Sequence, residues 1–201
     1  MPLTKRKTRE ERRQEIFEAA KTVFVKKGFQ RTTMEDIIEL TDLSKGGFYY
    51  YYSSTKEILI DMMKRGNTLY MTLNPYFPEN FSSLSENRKI DLLMDAFIEK
   101  CTVVTDDRKV YTMFIHESMY DESIWREYVK LEEEFYSFVC TCLNLNQVSA
   151  KEDFLFLSRM MNAILFGQNV SRQPDIILDR DVKIRQMFKP LLVELIHKNK
   201  I

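Results

Sequence analysis

Only ten of the 201 residues are glycine or proline, and a chain with so few breakers cannot thread the many tight turns that β-sandwiches and barrels require. Apolar residues recur instead at three-to-four spacing, as in Ile16, Ala19, Ala20, Val23 and Phe24, the period of a helix that buries one face. The expected fold class is all-α. Length allows one or two compact units. With 44% hydrophobic and 12% aromatic residues there is material for a sizeable core, which excludes the disordered, collagen-like and disulfide-stapled classes.

Along the chain, the first periodic segment covers 8–27 and stops at Gly28, a residue suited to ending a helix. Thr32 or Thr33 then caps a second, very short helix at 33–40 that holds Ile37 and Ile38. Ser44 offers a cap for a third at 44–51, although Gly46 and Gly47 each cost ~1 kcal/mol in a helix interior. Ser54 with Glu57 reads as a capping box opening a fourth helix towards Asn74-Pro75. Four or five more helices are expected after it. The same pattern recurs at Ser83 with Glu86 and Ser149 with Glu152, and the clearest apolar seam runs Ile124, Tyr128, Leu131, Phe135, Phe138, Cys142. The expected division is an N-terminal domain over 1–54 and a larger helical domain over 55–201, joined by a continuous helix.

Net charge is zero, but unevenly so: residues 1–65 hold 14 basic and 10 acidic side chains, residues 66–201 hold 16 and 20. Positive charge on the first third suits a polyanionic partner there. The basic N-terminal stretch is followed by no apolar run, and nothing nears the ~18 apolar residues that a bilayer crossing needs. A cytoplasmic protein with no membrane partner is expected. Cys101, Cys140 and Cys142 lack zinc-type spacing and read as buried thiols. Enzyme chemistry is poorly supplied, since His116-Glu117 lacks the second histidine of a zinc protease helix, and no phosphate-gripping glycine loop or nucleophile elbow is present. No catalytic residue, cofactor or metal site is expected.

Two short helices about three residues apart, with a longer one across them, make a helix-turn-helix whose second helix can enter a DNA major groove. A helix at 33–40, a turn at 41–43 and a recognition helix at 44–51 fit that description, with Leu43 turned inward. Gly46 and Gly47 then mark where backbone comes close to bases and phosphates. Ile16, Ala19-Ala20, Phe24, Gly28, Thr32-Thr33, Ile37, Ser44-Lys45-Gly46, Phe48-Tyr49 and Lys56-Glu57 together resemble the N-terminal signature of the TetR-like (TetR/AcrR) family of transcriptional regulators. Beyond that stretch the resemblance is one of length and helicity. The chain departs from the pattern at Asp42, where the turn usually has glycine, at Ile38 and Thr41, and by one extra residue in Ser53-Ser-Thr55. Asp42 tolerates a left-handed conformation better than most residues, so the turn can survive.

The resemblance implies a ligand-responsive regulator, a repressor released from a near-palindromic double-stranded DNA operator by a small-molecule effector. It implies phosphate contacts from Thr33, Tyr49, Tyr51 and Lys56, and groove readers at Lys45, Gly46, Gly47 and Tyr50. Ser44 is expected to cap the recognition helix, touch phosphate, or both. Phe48 and Tyr52 are expected to point inward, and Lys5, Arg6, Lys7 and Arg9 to form a solvated tail rather than an arm along DNA. The resemblance also implies a C-terminal unit that binds the effector and forms a homodimer, which sets two recognition helices one turn, ~34 Å, apart. Candidate pocket walls are Phe97, Cys101, Tyr111, Phe114, Met119, Trp125, Phe135, Tyr136 and Met161, with Glu99, Glu117 and Asp121 suited to a cationic ligand if they face it. The candidate interface is Phe154, Met161, Leu165, Ile184, Phe188, Leu191 and Leu195, on helices at 150–169 and 178–198. A helical protein–protein adaptor and a helical-bundle enzyme are the competing classes.

Overall fold

The computed structural model describes residues 7–170 and 179–201. These form nine α-helices: α1 (Arg9–Lys27), α2 (Met34–Ile38), α3 (Lys45–Tyr49), α4 (Thr55–Leu73), α5 (Glu86–Thr102), α6 (Asp106–Ser118), α7 (Glu122–Leu143), α8 (Lys151–Val170) and α9 (Arg180–Asn199), with short 3-10 turns at Phe29–Arg31 and Phe81–Ser83. No strand occurs among the described residues, only an isolated bridge between Leu145 and Lys200. The all-α expectation therefore holds, and its cause is the helical apolar period uninterrupted by breakers.

The chain divides into two compact units, one made of the residues up to Arg65 together with Asp106–Trp125, the other of Gly66–Thr105 and Arg126–Ile201. In the first, α1 is opened by a capping box in which the Thr8 hydroxyl accepts from Glu11 N–H, and the Glu11 carboxylate accepts from Thr8 N–H. It ends at Gly28, whose φ of 80° is costly for any side chain and whose N–H donates to Phe24 O at 2.8 Å. Ile16, Ala20, Phe24, Ile37, Phe48, Ile58 and Leu59 are wholly inaccessible and make its core. Helix α6 adds Val110 and Phe114, four apart and also inaccessible, and packs on α1 through the Lys21–Asp107 ion pair at 3.1 Å. Contacts thus group 106–125 with the N-terminal helices, which a division at 54/55 leaves in the second domain. The apolar stripe of α6 is short, and sequence alone does not say which neighbour covers it.

In the second unit α5 lies against both α8 and α9. Its buried Leu93, Met94, Phe97 and Cys101 meet Phe154, Met161, Phe188, Leu192 and Leu195 in one cluster. Aromatic rings extend the same cluster, with Phe77 and Phe138 ring centres 5.0 Å apart and Tyr136 and Phe154 4.9 Å apart. Ion pairs Asp91–Lys189, at 2.7 Å, and Asp95–Arg185 tie α5 to α9, and α9 continues through Pro190. Ser85, not Ser83, caps α5, accepting from Arg88 N–H, because Ser83 is used in the 3-10 turn that closes on Asn80. Cys101 and Cys140 are buried free thiols, while Cys142 is half-buried.

The expected interface needs correction here. Phe154, Met161, Leu165, Ile184, Phe188 and Leu195 are between 1% and 6% exposed within a single chain, so they serve the unit's own core and have no surface left to offer a second copy. Of the seven, Leu191 alone is open, at 40%. Exposed apolar residues remain on each helix, Phe156, Met160, Ala163 and Gly167 on α8 and Met187 and Leu191 on α9.

Candidate nucleic-acid interface

Helix α2 begins at Thr33, whose hydroxyl accepts from Asp36 N–H while the Asp36 carboxylate accepts from Thr33 N–H at 2.9 Å. Lys27 beside Asp36, and then the two Thr33 bonds, hold that carboxyl down to about 2. Thr32, the alternative cap, is buried, and its hydroxyl donates instead to Gly28 O. After the turn, Ser44 caps α3 by accepting from Gly47 N–H at 3.2 Å. Asp42 does not use the left-handed conformation that it could tolerate, since among the described non-glycine residues only Asn144 and Asp179 have positive φ. The turn is closed from outside instead: Asp42 N–H donates to the Glu15 carboxylate at 2.7 Å, and the Lys7 ammonium bridges Glu15 and Asp42. Lys7 is therefore fastened to the first helix; Lys5 and Arg6 lie outside the described residues.

On α3 the aromatic run sorts by side. Phe48 is inaccessible and Tyr52 nearly so, its hydroxyl donating to Asp61 Oδ2 at 2.5 Å, while Tyr49 and Tyr50 are 40% and 74% exposed. Tyr51 is half-buried and meets Tyr50 edge-on at 5.4 Å. Lys45 reaches across to α2, its Nζ 2.8 Å from Glu35 Oε1 and 6.0 Å above the Tyr49 ring. The Lys45 ammonium keeps the Glu35 carboxyl below its ordinary range. The two glycines differ. A Cβ on Gly47 would lie 3.2 Å from Ser44 Oγ, whereas one on Gly46 would meet nothing within 4 Å.

Helix α4 opens with Ser54 Oγ accepting from Glu57 N–H at 3.2 Å and Glu57 accepting in turn from Ser53 N–H. Lys56, in its first turn, pairs with Asp121 Oδ2 at 3.1 Å. Asp121 is itself the cap of α7: its other oxygen accepts from Ser123 and from Ile124 N–H, and the Ser123 hydroxyl, followed by Lys56, holds the carboxyl at about 2. Thr33, Ser44, Lys45, Gly46, Gly47, Tyr49, Tyr50, Tyr51 and Lys56 all belong to the first unit. Glu35 escaped the sequence reading because its pairing with Lys45 joins two helices ten residues apart, a spacing that no helical period marks.

The expected pocket residues are divided. Phe97, Cys101, Phe135, Tyr136 and Met161 are core or packed on the core of the second unit. Tyr111, Phe114, Met119 and Trp125 are in the first unit, with Phe114 inaccessible and Met119 and Trp125 63% and 47% exposed. Glu117 is buried and accepts from the Gln30 amide, and Asp121 is engaged as described. A cleft of about 690 Å³ does occur in the second unit, but between α5 and α9, lined among others by Tyr76, Asp95, Glu99, Arg185 and Lys189 and by none of the nine. Among the described residues no cluster of three or more histidine, cysteine or acidic side chains could hold a metal, and no helix is long and apolar enough to cross a membrane.

Comparison with known proteins agrees with this geometry. Residues 16–62 match the family described as bacterial regulatory proteins, tetR family. An uncharacterized HTH-type transcriptional regulator of Bacillus subtilis, YfiR, is 45% identical over 65 residues, a match that spans 32% of this chain and 32% of that protein. Among solved structures, Salmonella enterica GusR superposes with a TM-score of 0.70 at 18% identity, over 94% of this chain and all of that one. A transcriptional regulator from Saccharomonospora viridis in complex with choline gives 0.65 at 18% identity, over 95% and 98%. At such identities these two likenesses speak for the fold. The family match lies on the segment whose caps, turn and exposed face have just been described, and over residues 16–62 the chain is similar to the bacterial regulatory proteins of the tetR family.

Proposed function

We propose that the protein is a DNA-binding transcriptional regulator, a homodimeric repressor that a small-molecule effector releases from a near-palindromic operator in the cytoplasm. The observation that carries the DNA-binding reading is the outer side of α3: Lys45, Tyr49 and Tyr50 stand in solvent around Gly46, whose missing side chain leaves space that nothing in the protein fills. A backbone with open space in front of it admits close approach of base edges and phosphates. Thr33, Ser44, Tyr51 and Lys56 are assigned to the flanking backbone, with Gly47 serving the cap.

The dimer reading is supported by the exposed apolar residues of α8 and α9, for which twofold pairing is the usual solution. An effector site in the second unit is supported by the cleft between α5 and α9, whose volume is that of a small-molecule site; the choline bound by the S. viridis regulator belongs to that protein. The effector acts by favouring one packing over another, carried through α4, which continues across the division at Arg65–Gly66. A coupling of ~1–3 kcal/mol weakens operator binding 5- to 150-fold.

The test is a titration of the purified chain with a fluorescent 30-base-pair duplex of its own upstream DNA at a series of salt concentrations. Affinity is expected to fall steeply with salt, the signature of several phosphate contacts, and to fall again on adding an effector found by thermal shift. Flat salt dependence, or an affinity indifferent to every stabilising compound, would refute the respective half of the proposal.

A further inference from the structure

Lys45 and Glu35 stand side by side on the exposed rim of the helix-turn-helix, one from α3 and one from α2, with Nζ 2.8 Å from Oε1 and side chains that keep 68% and 56% of their surface open. An ion pair this exposed contributes little to stability, because water and salt screen it and ordering two long side chains costs entropy. Its geometry, however, has a counterpart in DNA. In the major groove a G·C pair presents the guanine N7 and O6 acceptors beside the cytosine N4 donor, and O6 and N4 are hydrogen-bonded to each other, hence about 2.9 Å apart. A donor and an acceptor held 2.8 Å apart on the protein match that edge group for group.

We propose that Glu35 is a specificity-determining residue, and that Lys45 and Glu35 together read one G·C base pair in each half-site. This rests on the DNA-binding reading above. The lysine ammonium donates to guanine O6 and N7; the carboxylate accepts from cytosine N4–H while keeping its bond to the ammonium. A C·G or A·T pair reverses the central pattern, setting an acceptor oxygen against the carboxylate and an amino group against the ammonium. T·A keeps the central pattern but replaces guanine N7 with a methyl group, so lysine, not glutamate, rejects it. Glu35 therefore adds discrimination that a lone lysine lacks. The open space over Gly46, where a Cβ would meet nothing within 4 Å, leaves room for a base edge beside the pair.

The experiment is repeated selection of duplexes from a pool with a randomised 20-base-pair centre, using the full-length chain, its Glu35→Ala and Lys45→Ala variants and the double variant, followed by binding of each to the chosen sequence and to single-pair changes. The natural chain should select a fixed G·C pair in each half-site. Glu35→Ala should tolerate C·G and A·T there, with discrimination reduced roughly fivefold or more, while preferences at other positions persist. Lys45→Ala should also lose the choice of G·C over T·A. Helical circular dichroism and melting temperature establish that each variant is folded. A selected motif without that pair, Glu35→Ala preferences identical to the natural chain's, or a gain in affinity equal for all sequences would overturn the proposal; the last would make Glu35 a mere repeller of phosphate. Selection of no sequence by the natural chain would instead bring down the DNA-binding reading itself.

Discussion

Gly46 and Gly47 are adjacent and look alike in the sequence, where both suggest close approach to DNA, yet their surroundings give them different tasks. The Ser44 hydroxyl that caps α3 lies 3.2 Å from where a Gly47 Cβ would sit, so a side chain there disturbs the cap; around Gly46 there is only solvent. Replacing Gly46 with alanine should thus separate two properties. The free protein gains up to ~1 kcal/mol from better helix propensity, seen as a raised melting temperature, while duplex affinity falls because the new methyl stands where a base edge or phosphate must come. A variant that melts higher and binds DNA equally well would show that the backbone at Gly46 never comes close. The residue types were legible from the chain alone because glycine is scarce in helices for a physical reason; the partition between cap and approach was not, since it depends on where Ser44 Oγ points.

At the scale of elements, caps carry most of what sequence predicts, and they also set its limit. Thr8, Thr33, Ser44 and Ser54 are followed three residues on by their partners and start the helices that the spacing indicates. Ser83 has an equally good partner in Glu86, but its N–H and hydroxyl both donate to Asn80 O in a 3-10 turn and Ser85 takes over. The turn before α3 is likewise set by a residue of another helix, Glu15, rather than by the backbone freedom of Asp42. Helix α2 offers a pH test. Its Asp36 carboxyl is held at about 2 against an ordinary 3.8, by Lys27 first and by Thr33. A carboxyl whose folded value is depressed stabilises the fold at every pH above the ordinary value, and the contribution disappears as pH falls through 3.8 towards 2. Asp36→Asn should melt lower than the natural chain at pH 7, and the gap should close by pH 2. A gap that stays constant over that range would mean that Asp36 acts by shape and not by charge.

For the whole molecule, the question that sequence left open was which apolar face belongs inside. Helix α8 has two: Phe154, Leu157, Met161 and Leu165 are buried in its own unit, while Phe156, Met160, Ala163 and Gly167 lie open at spacings of four, three and four. Both faces have helical period, and the period alone does not rank them. The inner one wins because α5 supplies a matching apolar surface within the same chain, so the outer one stays open, and the proposed dimer would use it. A twofold axis uses each side chain twice, so at ~1.5–3 kcal/mol for burying one large apolar side chain, introducing charge at Met160 should weaken the dimer roughly a hundredfold or more. Met160→Glu, 38% exposed in the single chain, should leave helical content and melting of the monomer unchanged while sedimentation at micromolar concentration shifts from dimer to monomer. Operator affinity should drop with it, since a monomer grips one half-site only. The corresponding change at Met161, 2% exposed, should instead destabilise the fold. If Met160→Glu remains a dimer while Met161→Glu stays folded, the two faces of α8 have been assigned the wrong way round.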